Sequence, residues 1–548
     1  NSEHCRHKIF NGKFIIDGLE MRSSLFSLIK KTSMINQGNL ISAYKDNVAF
    51  IKGSSAGIFA PQQQDKATWF ETRKTDTVIS LKAETHNFPT TVEPFSGAAT
   101  GSGGEIRDRM AGGKASMPLA GTAVYMTPYP RNEKGKKHEE AIEARKWLYH
   151  DPKSILIKAS NGASDYGNKF GQPLICGSLL TFEHQENKKT FAYDKVVMLA
   201  GGTGYAKKQD SEKEKPIKGD LILVMGGDNY RIGMGGSSVS SVATGEYGNN
   251  LELNAVQRSN PEMQKRVYNT IRAMAEANIN PVVAIHDHGA GGHLNSLSEL
   301  VEEVGGVIDV DKLPVGDKTL SAKEIIGNES QERMGLIIKQ EDLPKIKAIA
   351  ERERAPLYVV GRVTGDHRFV VRDNRTGEKP IDLDIKDMFG KTPKTTLRDR
   401  SYSLKYESVK YDQSEFTNYL ERVLQLESVA CKDWLTNKVD RSVTGRIALQ
   451  QNAGPLQLPL NNLGITTLDY SGTKGIATAI GHAPAVGLIN PEKGSKLSIA
   501  EALTNIVWAP VEGGLKNISL SANWMWPANN EGENSRLYRA VEAASNFA

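Results

Sequence analysis

Residues 82–108 concentrate groups that could bind a phosphate and a metal ion. The segment reads KAETHNFPTTVEPFSGAATGSGGEIRD, with Glu84 and Asp108 bracketing a glycine-rich stretch. Glycine lets backbone N–H groups approach a ligand closely, and consecutive N–H groups in a loop can cradle phosphate oxygens. Magnesium takes oxygen ligands, usually one or two carboxylates together with phosphates. The pattern predicts a phosphate–metal site, with Arg107 as a planar cation for a second anion; a mobile turn is the alternative.

A third acid comes from AIHDHGAGGHLN at 284–295, where an apolar strand pattern ends in polar residues. His286, His288 and His293 lie within eight residues, and such a density could suggest a transition metal. No fourth ligand has a familiar zinc spacing, however. We therefore interpret Asp287 as an oxygen ligand for magnesium and leave the three histidines without a role.

Other polar motifs admit both a binding and a structural interpretation. The glycines of MGGDNYRIGMGG at 225–236 suit a phosphate monoester and equally a turn. NESQERMG at 328–335 precedes an apolar strand and could simply cap it. Glu501 and Asn505 are four residues apart on a predicted helix and share one face, which could hold a second metal or be solvated. His4 and the adjacent cysteine decide nothing by themselves.

Strands and helices alternate around these motifs, which favours a mixed α and β protein. The stretches VISLKAE at 78–84 and PVVAIHD at 281–287 read as strands that end on the acids. NPEMQKRVYNTIRAMAEANI predicts a helix with Asn260 as its N-cap and Pro261 as its first residue. The acids are thus expected at strand ends.

The chain also suggests three units. A charged stretch at 207–220 has the composition of a linker, and a further unit starts near residue 400, with a helix expected near 496–508. The first and third units share a faint echo, ETHN at 84–87 and EALTN at 501–505. We interpret the echo as significant only if the two units also share a fold.

The bulk composition fits a soluble globular protein of three or four domains. The 548 residues are 39% hydrophobic and 24% charged, and the net charge of +5 is too small to indicate nucleic-acid binding. Cys5, Cys176 and Cys431 are scattered and odd in number, which indicates a reducing compartment without a disulfide scaffold. No apolar run reaches the roughly 18 residues of a membrane helix, and no signal peptide is recognisable. We expect a cytoplasmic protein, and, since both ends look cut, a fragment of a longer chain.

The motifs taken together resemble one family. NSEHCRHKIF, ETHNFPTTVEPFSGAATGSGGEIRD, NPEMQKR, HDHGAGG, NESQER, RVTG, EALTN and SANWMW occur in this order. They are similar to the motifs of phosphoribosylformylglycinamidine synthase in its long, single-chain form, and the resemblance covers essentially the whole chain.

The resemblance implies an architecture of paired domains in pseudo-repeat, A1-B1-A2-B2, of the aminoimidazole ribonucleotide synthetase-like type, with mixed sheets and flanking helices. A1 would be 1–206, B1 215–395 and A2 405–548. Most of B2 would be missing, as would the N-terminal channelling domain and the C-terminal glutaminase. No cysteine here matches the glutaminase nucleophile.

The resemblance also implies a reaction. ATP would phosphorylate the amide oxygen of formylglycinamide ribonucleotide, and ammonia, released from glutamine by the glutaminase domain of the same parent chain, would displace phosphate to leave an amidine. ATP and Mg²⁺ would be required, and a structural ADP could occupy a second, pseudo-symmetric site. No nucleic acid or membrane partner is expected.

Residue roles follow by motif. The active-site metal ligands would be Glu84, Asp108 and Asp287. The catalytic histidines would be His4 and His86, with His86 as proton acceptor. Contacts to ATP would come from His7, Lys82, Gly97, Ala98, Ala99, Thr100, Gly101, Ser102, Gly103, Gly104, Glu105, Ile106, Arg107, Asp108 and Asn461. Contacts to the ribonucleotide would come from His86, Asn87, Arg107, Gln257, Glu329, Ser330 and Gln331. The auxiliary site would contain Lys432 and the metal ligands Asn462, Glu501 and Asn505.

Two departures from the family pattern stand out. The family commonly has histidine where this chain has Phe88, which could alter the substrate pocket, and aspartate where it has Asn462, which would weaken an auxiliary metal. The alternatives are another ATP-dependent synthetase of the same domain family, such as an aminoimidazole ribonucleotide or selenophosphate synthetase, and a fragment that binds nucleotide without turnover.

Overall fold

The computed structural model describes residues 8–329, 332–390, 393–402, 405–438 and 441–548. Four residues with predicted roles, His4, His7, Ser330 and Gln331, lie outside this part of the chain. Within it, the secondary structure is a mixture of helices and mixed sheets, which confirms the predicted fold class.

The first unit builds a six-stranded sheet in the order β3-β4-β5-β10-β6-β7. Its helices α3 and α5 pack together against one face of this sheet, through Ala98, Leu156, Ala159 and Met198. Its elements are β1 (Lys13–Ile16), β2 (Leu19–Glu20), α1 (Leu25–Ile35), β3 (Leu40–Ser42), β4 (Ala49–Pro61), β5 (Phe70–Thr85), α2 (Asn87–Val92), α3 (Pro94–Met110), β6 (Met117–Thr127), α4 (Lys137–Glu140), α5 (Pro152–Phe170), β7 (Leu174–Thr181), β8 (Glu183–Glu186), β9 (Lys189–Ala192) and β10 (Val197–Lys207).

The second unit builds a seven-stranded sheet in the order β12-β14-β11-β15-β13-β16-β17, while its last strand, β18, pairs in parallel with β1. The elements are β11 (Leu221–Gly226), α6 (Gly236–Ser240), α7 (Asn249–Ala255), α8 (Pro261–Glu276), β12 (Val282–Asp287), α9 (Gly292–Leu300), β13 (Gly306–Asp309), α10 (Ala322–Gly327), β14 (Arg333–Ile338), α11 (Leu343–Glu353), β15 (Leu357–Val363), β16 (Arg368–Arg372), β17 (Ile381–Asp384), α12 (Ile385–Met388) and β18 (Thr396–Asp399).

The two faces of this sheet serve two different cores, because side chains alternate along a strand. On β11, Leu221, Leu223 and Met225 face a cluster that includes Val267 and Ile271 of α8. The same cluster contains Ile106 and Met110 of α3, so the first and second units share a core. Ile222 and Val224 face the opposite cluster, formed with α9 and α10.

The third unit has a smaller sheet, β19-β22-β23, which packs on the first sheet through Leu468 and Ile476. Its elements are α13 (Phe416–Gln425), β19 (Ile447–Leu449), β20 (Asn452–Ala453), β21 (Leu458–Pro459), β22 (Leu463–Thr467), β23 (Gly475–Ala479), α14 (Pro484–Ile489), α15 (Pro491–Ile506) and α16 (Glu533–Phe547).

Several predicted elements are confirmed. The strands ending at Glu84 and Asp287 form β5 and β12, and the helix near 496–508 is α15. Asn260 caps α8 by accepting a hydrogen bond from the backbone N–H of Met263. The linker predicted at 207–220 is bonded to the first unit, through the ion pairs of Lys213 with Asp46 and of Glu214 with Lys114.

The prediction of a glycine-rich loop at 97–108 is wrong, because this segment is the interior of α3. The glycines serve close packing instead. A Cβ on Gly97 would lie 2.3 Å from the carbonyl carbon of Pro89, and one on Gly103 would lie 2.6 Å from Cζ of Tyr166. Since the helix uses its interior N–H groups, it cannot cradle phosphate as a loop would.

Among the residues that the structure describes, no helix is both long enough and apolar enough to cross a bilayer.

Replacing Gly97 with alanine should destabilise the protein by about 1–3 kcal/mol, because the new methyl group meets backbone atoms. Gly104→Ala is the matched control on the same helix. Its Cβ would meet only the Arg107 side chain, at 3.7 Å, so alanine's better helix propensity should stabilise the protein by up to about 1 kcal/mol. Urea unfolding of both variants tests this; a Gly97→Ala midpoint at or above wild type would contradict the packing explanation.

Candidate active site

The three predicted metal ligands lie around one lysine and one asparagine where β5, α3 and β12 meet. Lys82 and Glu84 are alternate residues of β5, so they point to the same face. The Nζ atom of Lys82 lies 3.2 Å from Oε2 of Glu84 and 3.0 Å from Oδ2 of Asp108 on α3. Lys82 therefore joins two of the three carboxylates directly.

Asn47 joins the third carboxylate to the same group. Its Nδ2 atom donates to Oδ1 of Asp108 at 3.1 Å and to Oδ1 of Asp287 at 2.6 Å. Its backbone carbonyl accepts from Nζ of Lys82 at 3.3 Å. Asn47 was not among the residues predicted from the sequence. The signal for it was the polar Asp46-Asn47 pair shortly before β4, which resembles an ordinary turn.

This arrangement places three carboxylates beside one ammonium in a partly buried cleft, where the side chain of Glu84 is still 38% exposed. Burial raises the pKa of Glu84, and Asp108 raises it further against the effect of Lys82. Burial and Asp108 likewise raise the pKa of Asp287. Although burial disfavours an ammonium, Asp108 and Glu84 raise the pKa of Lys82 above its usual value. A bound cation would relieve the mutual repulsion of the carboxylates.

The donor chemistry fits magnesium only together with ligand oxygens. Within the described residues, no three His, Cys, Asp or Glu side chains are arranged as a metal cage. Magnesium seldom uses such a cage; it is commonly held by one or two carboxylates plus phosphate oxygens and waters. Glu84, Asp108 and Asp287 supply suitable carboxylates, and a nucleotide would have to supply the rest.

His86 is a neutral base in this site. It is the N-cap residue of α2, and its Nδ1 atom bonds to the carbonyl of Gly97. A carbonyl can only accept, so Nδ1 carries the proton and Nε2 carries the lone pair. Burial, with a smaller effect from Arg107, lowers the pKa of His86 to about 4. The ring is therefore unprotonated at neutral pH, and Nε2 is the nitrogen that carries its lone pair.

Arg107 is a buried cation with unused donors. Its side chain is 2% exposed, and Nε and Nη1 have no hydrogen-bond partner among the described residues. Its charge affects the pKa values of His86 and Asp287, so it lies close to both. Because an unsatisfied buried guanidinium is costly, a bound anion is the natural partner for it.

The remaining residues predicted to bind substrate fall into two places. Asn87 is fixed by accepting at Oδ1 from the backbone N–H of Met198, 2.9 Å away. Gln257 and Glu329 form a second group, in which Nε2 of Gln257 lies 3.3 Å from Oε2 of Glu329. Oε1 of Glu329 accepts from the N–H of Gly291, in the turn that follows Asp287.

Most of the α3 residues predicted to contact ATP are buried. Gly97, Ala98, Ala99, Thr100, Gly101, Ser102, Gly103, Glu105 and Ile106 are covered by the protein, whereas Gly104 and Asp108 are partly exposed. Glu105 bonds to Arg109 and Gln172 rather than to the site. Contact between this helix and ATP stays a prediction.

The histidines after β12 have structural partners. His286 bonds to Glu299, and Nε2 of His288 lies 2.9 Å from Nδ1 of His293. Burial, together with the charge of Arg333, holds the pKa values of His288 and His293 far below the usual range. They serve as neutral hydrogen-bonding residues in the core.

Phe88 belongs to an apolar cluster with Val92 of α2 and with Val239 and Val256 of the second unit. The ring is 3% exposed, and Nζ of Lys195 lies 5.3 Å from its centroid. At this departure from the family pattern, the side chain therefore packs the two units together.

Three of the predicted auxiliary-site residues are neighbours. The backbone N–H of Asn462 donates to Oδ1 of Asn505 at 3.2 Å, and Nδ2 of Asn505 donates to the backbone carbonyl of Glu501 at 3.1 Å. Oδ1 of Asn461 accepts from the N–H of Leu463, at the start of β22. Lys432 bonds to carbonyls of its own segment, at Ser428 and Ala430.

The first and third units repeat one helix arrangement. His86 (φ −135°, ψ 50°) and Ala483 (φ −145°, ψ 55°) each lead into a six-residue helix, α2 or α14. A long helix that begins with proline, α3 or α15, follows. The echo of ETHN and EALTN does not reflect this repeat: the first spans the end of β5 and the start of α2, whereas the second lies inside α15.

Curated relatives identify the family. Over 560 residues and 99% of its length, the chain is 40% identical to phosphoribosylformylglycinamidine synthase of Dictyostelium discoideum, and equally to that of Saccharomyces cerevisiae. The chain belongs to the phosphoribosylformylglycinamidine synthase family. It spans 41% of the length of each of these two relatives, and so corresponds to a segment of them.

Family models and solved structures agree with this membership. Residues 218–374 match the AIR synthase related protein, C-terminal domain, and residues 431–547 match the FGAR-AT PurM_N-like domain. Thermotoga maritima PurL complexed with FGAR has a TM-score of 0.60 at 18% identity, over 95% of this chain and 72% of that chain. The same protein complexed with ADP gives 0.59 at 17%, over 95% and 71%. These likenesses confirm the predicted aminoimidazole ribonucleotide synthetase-like fold of the phosphoribosylformylglycinamidine synthase family.

His86 and His286 should titrate on opposite sides of neutral pH. Histidine-selective NMR should show His86 titrating near pH 4, with Nε2 unprotonated above that pH. Glu299 and Asp287 outweigh burial and raise the pKa of His286 to about 9, so this ring should be charged at pH 7. His86→Asn and His286→Gln assign the two signals. A protonated His86 at pH 7 would contradict its predicted role as proton acceptor.

Proposed function

We propose that this chain is the part of a phosphoribosylformylglycinamidine synthase that binds ATP, Mg²⁺ and formylglycinamide ribonucleotide and converts the amide of the ribonucleotide to an amidine. The observation that carries the proposal is the grouping of Glu84, Asp108 and Asp287 around Lys82 and Asn47. The names of the curated relatives support it.

The proposed reaction has two steps. The amide oxygen of the substrate attacks the γ-phosphorus of ATP, and the bond to the bridging oxygen breaks to release ADP. Ammonia then adds to the activated carbon, loses a proton, and phosphate leaves with the original oxygen. An amide oxygen is a poor leaving group, and phosphorylation makes it a good one.

The residues of the chain have separate tasks in this scheme. Glu84, Asp108 and Asp287 would hold Mg²⁺, which would supply positive charge to the transferring phosphoryl group. Lys82 adds a fixed ammonium beside it, which stabilises charge without reorganisation. Arg107 has free donors for an anionic part of the substrate. Nε2 of His86 accepts the proton that the attacking nitrogen loses.

Ammonia would come from outside this chain. Cys176 is buried and Cys431 is exposed, and neither lies in a glutaminase motif. We assign ammonia production to a glutaminase domain of the same parent protein, and the reaction to the cytoplasm, although the Arabidopsis thaliana relative, 37% identical, is named chloroplastic/mitochondrial. The site of Asn462, Glu501 and Asn505 would retain a structural ADP, for which Lys432 and Asn461 are further candidate contacts.

The full-length protein tests the proposal. ADP formation should require both formylglycinamide ribonucleotide and ammonia, and Glu84→Gln should lower the rate by roughly 100-fold or more, because a charged ligand to the transferring phosphoryl group is lost. Glu71→Gln, at the exposed beginning of the same strand, is the matched control and should keep wild-type activity. Turnover without the ribonucleotide, or none at all, would contradict the ligase assignment.

Magnesium binding by the chain itself should be sensitive to acid. Protons compete with the metal for Glu84 and Asp287, and the pKa values of both carboxyls are raised. Calorimetric affinity for Mg²⁺·ADP should therefore fall as the pH is lowered, beginning above the usual carboxyl range of about 4. Circular dichroism at each pH separates this loss from unfolding. A constant affinity down to the usual range would contradict the role of these acids.

A further inference from the structure

Asn47 contacts three of the residues that form the site, although no motif predicted a role for it. Its amide nitrogen bonds to Asp108 and Asp287, and its carbonyl accepts from Lys82. Asp108 belongs to the first unit and Asp287 to the second, so Asn47 is a side-chain bridge between the two units inside the site.

The bridge leaves room for a ligand. Asn47 bonds to Oδ1 of each aspartate, whereas Oδ2 of Asp108 faces Lys82. The Oδ2 atom of Asp287 is not engaged by Asn47, so a cation can bind there without displacing the amide. An amide donor shared by two carboxylates also reduces their repulsion, which holds them close before the cation arrives.

The backbone before Asn47 is itself anchored. Oδ2 of Asp46 accepts from the N–H of Gly113 at 2.7 Å, and Oδ1 lies 2.5 Å from Nζ of Lys213. Gly113 follows α3, and Lys213 lies in the connection to the second unit. These contacts hold the backbone next to Asn47 in place, so its amide does not lie in an unsupported turn.

The internal repeat supplies an independent argument. In the first unit, Leu81 lies five residues before His86 and pairs with Ala49 of β4. Asn47 lies two residues before Ala49. These spacings define where Asn47 stands in the strand register relative to the short helix α2 and the long helix α3.

The third unit shows the same spacings. Thr478 lies five residues before Ala483 and pairs with Gly464 of β22. Asn462 lies two residues before Gly464. Asn47 and Asn462 therefore occupy equivalent positions. Asn47 lies just before β4, which pairs with β5, and Asn462 lies just before β22, which pairs with β23.

The equivalence extends to the partners. Asp108 lies fourteen residues after the first residue of α3, and Asn505 lies fourteen residues after the first residue of α15. In one copy Nδ2 of Asn47 donates to Oδ1 of Asp108. In the other copy the backbone N–H of Asn462 donates to Oδ1 of Asn505, while the Asn462 side chain bonds to Gln451 and Ser178. The same pair of positions is thus joined twice in one chain.

We infer that Asn47 is a positioning residue of the active site, which holds Asp108 and Asp287 in register for Mg²⁺·nucleotide. This inference rests on the proposed function and adds a residue to it. In the equivalent copy, Ala479 and Gly481 stand where the first site has Lys82 and Glu84. The contact between the two equivalent positions is what both copies share, through the side chain of Asn47 in the first and through the backbone of Asn462 in the second.

The test is calorimetric binding of ADP to this chain, with and without Mg²⁺. Asn47→Leu keeps the branched arrangement of side-chain heavy atoms and removes the amide. It should weaken Mg²⁺-dependent ADP binding about 10- to 100-fold, the usual effect of losing a residue that orients metal ligands. The control Asn278→Leu replaces an exposed asparagine outside the site and should bind as wild type.

The outcomes separate the inference from the proposed function. If wild type shows no Mg²⁺-dependent ADP binding, the proposed function fails. If wild type binds and Glu84→Gln does not, but Asn47→Leu binds as tightly as wild type or more tightly, the inference is overturned. For Asn47→Leu, the urea midpoint and the Mg²⁺-independent part of ADP binding should equal those of Asn278→Leu. If Asn47→Leu lowers only these two quantities and leaves Mg²⁺-dependent binding intact, Asn47 has only a structural role, and the inference is overturned.

Discussion

The structure depends on the confinement of three carboxylates with one ammonium in a partly buried cleft. Like charges this close raise each other's proton affinity, and burial adds to the effect. Lys82 and the amide of Asn47 compensate part of the charge, and the rest favours binding of a divalent cation with its phosphate ligand. The surrounding fold can be understood as the support that keeps these groups from moving apart.

That support comes from two sheets and the helix between them. β5 and α3 belong to the first unit, and β12 ends at the site from the second. The core that contains Ile106 and Met110 of α3 also contains side chains of α8, so the helix that carries Asp108 is packed from both sides. Phe88 adds a second apolar contact between the units. The site therefore lies at the contact between the first and second units, and its geometry depends on how the two units pack together.

The sequence predicted the parts of the site that follow from local pattern. The strands ending at Glu84 and Asp287 have buried apolar residues followed by polar ones, and Asn260 and Pro261 mark the start of α8. These signals depend on a few neighbours. The glycines Gly97 and Gly103 led to the wrong prediction of a loop. Glycine is needed at these positions because Pro89 and Tyr166 lie so close, and this closeness is visible only in the folded chain. Asn47 was missed for the same reason, since its partners lie 61 and 240 residues away.

The close packing of α3 has a geometric consequence. A Cβ on Gly101 would lie 3.0 Å from Cβ of His86, and Asp108 follows seven residues later on the same rigid helix. At about 1.5 Å per residue, the helix spans roughly 10 Å between these points. The spacing between His86 and Asp108 is thus set by the backbone of one helix rather than by mobile side chains, so a ligand that contacts both residues has to extend over roughly 10 Å.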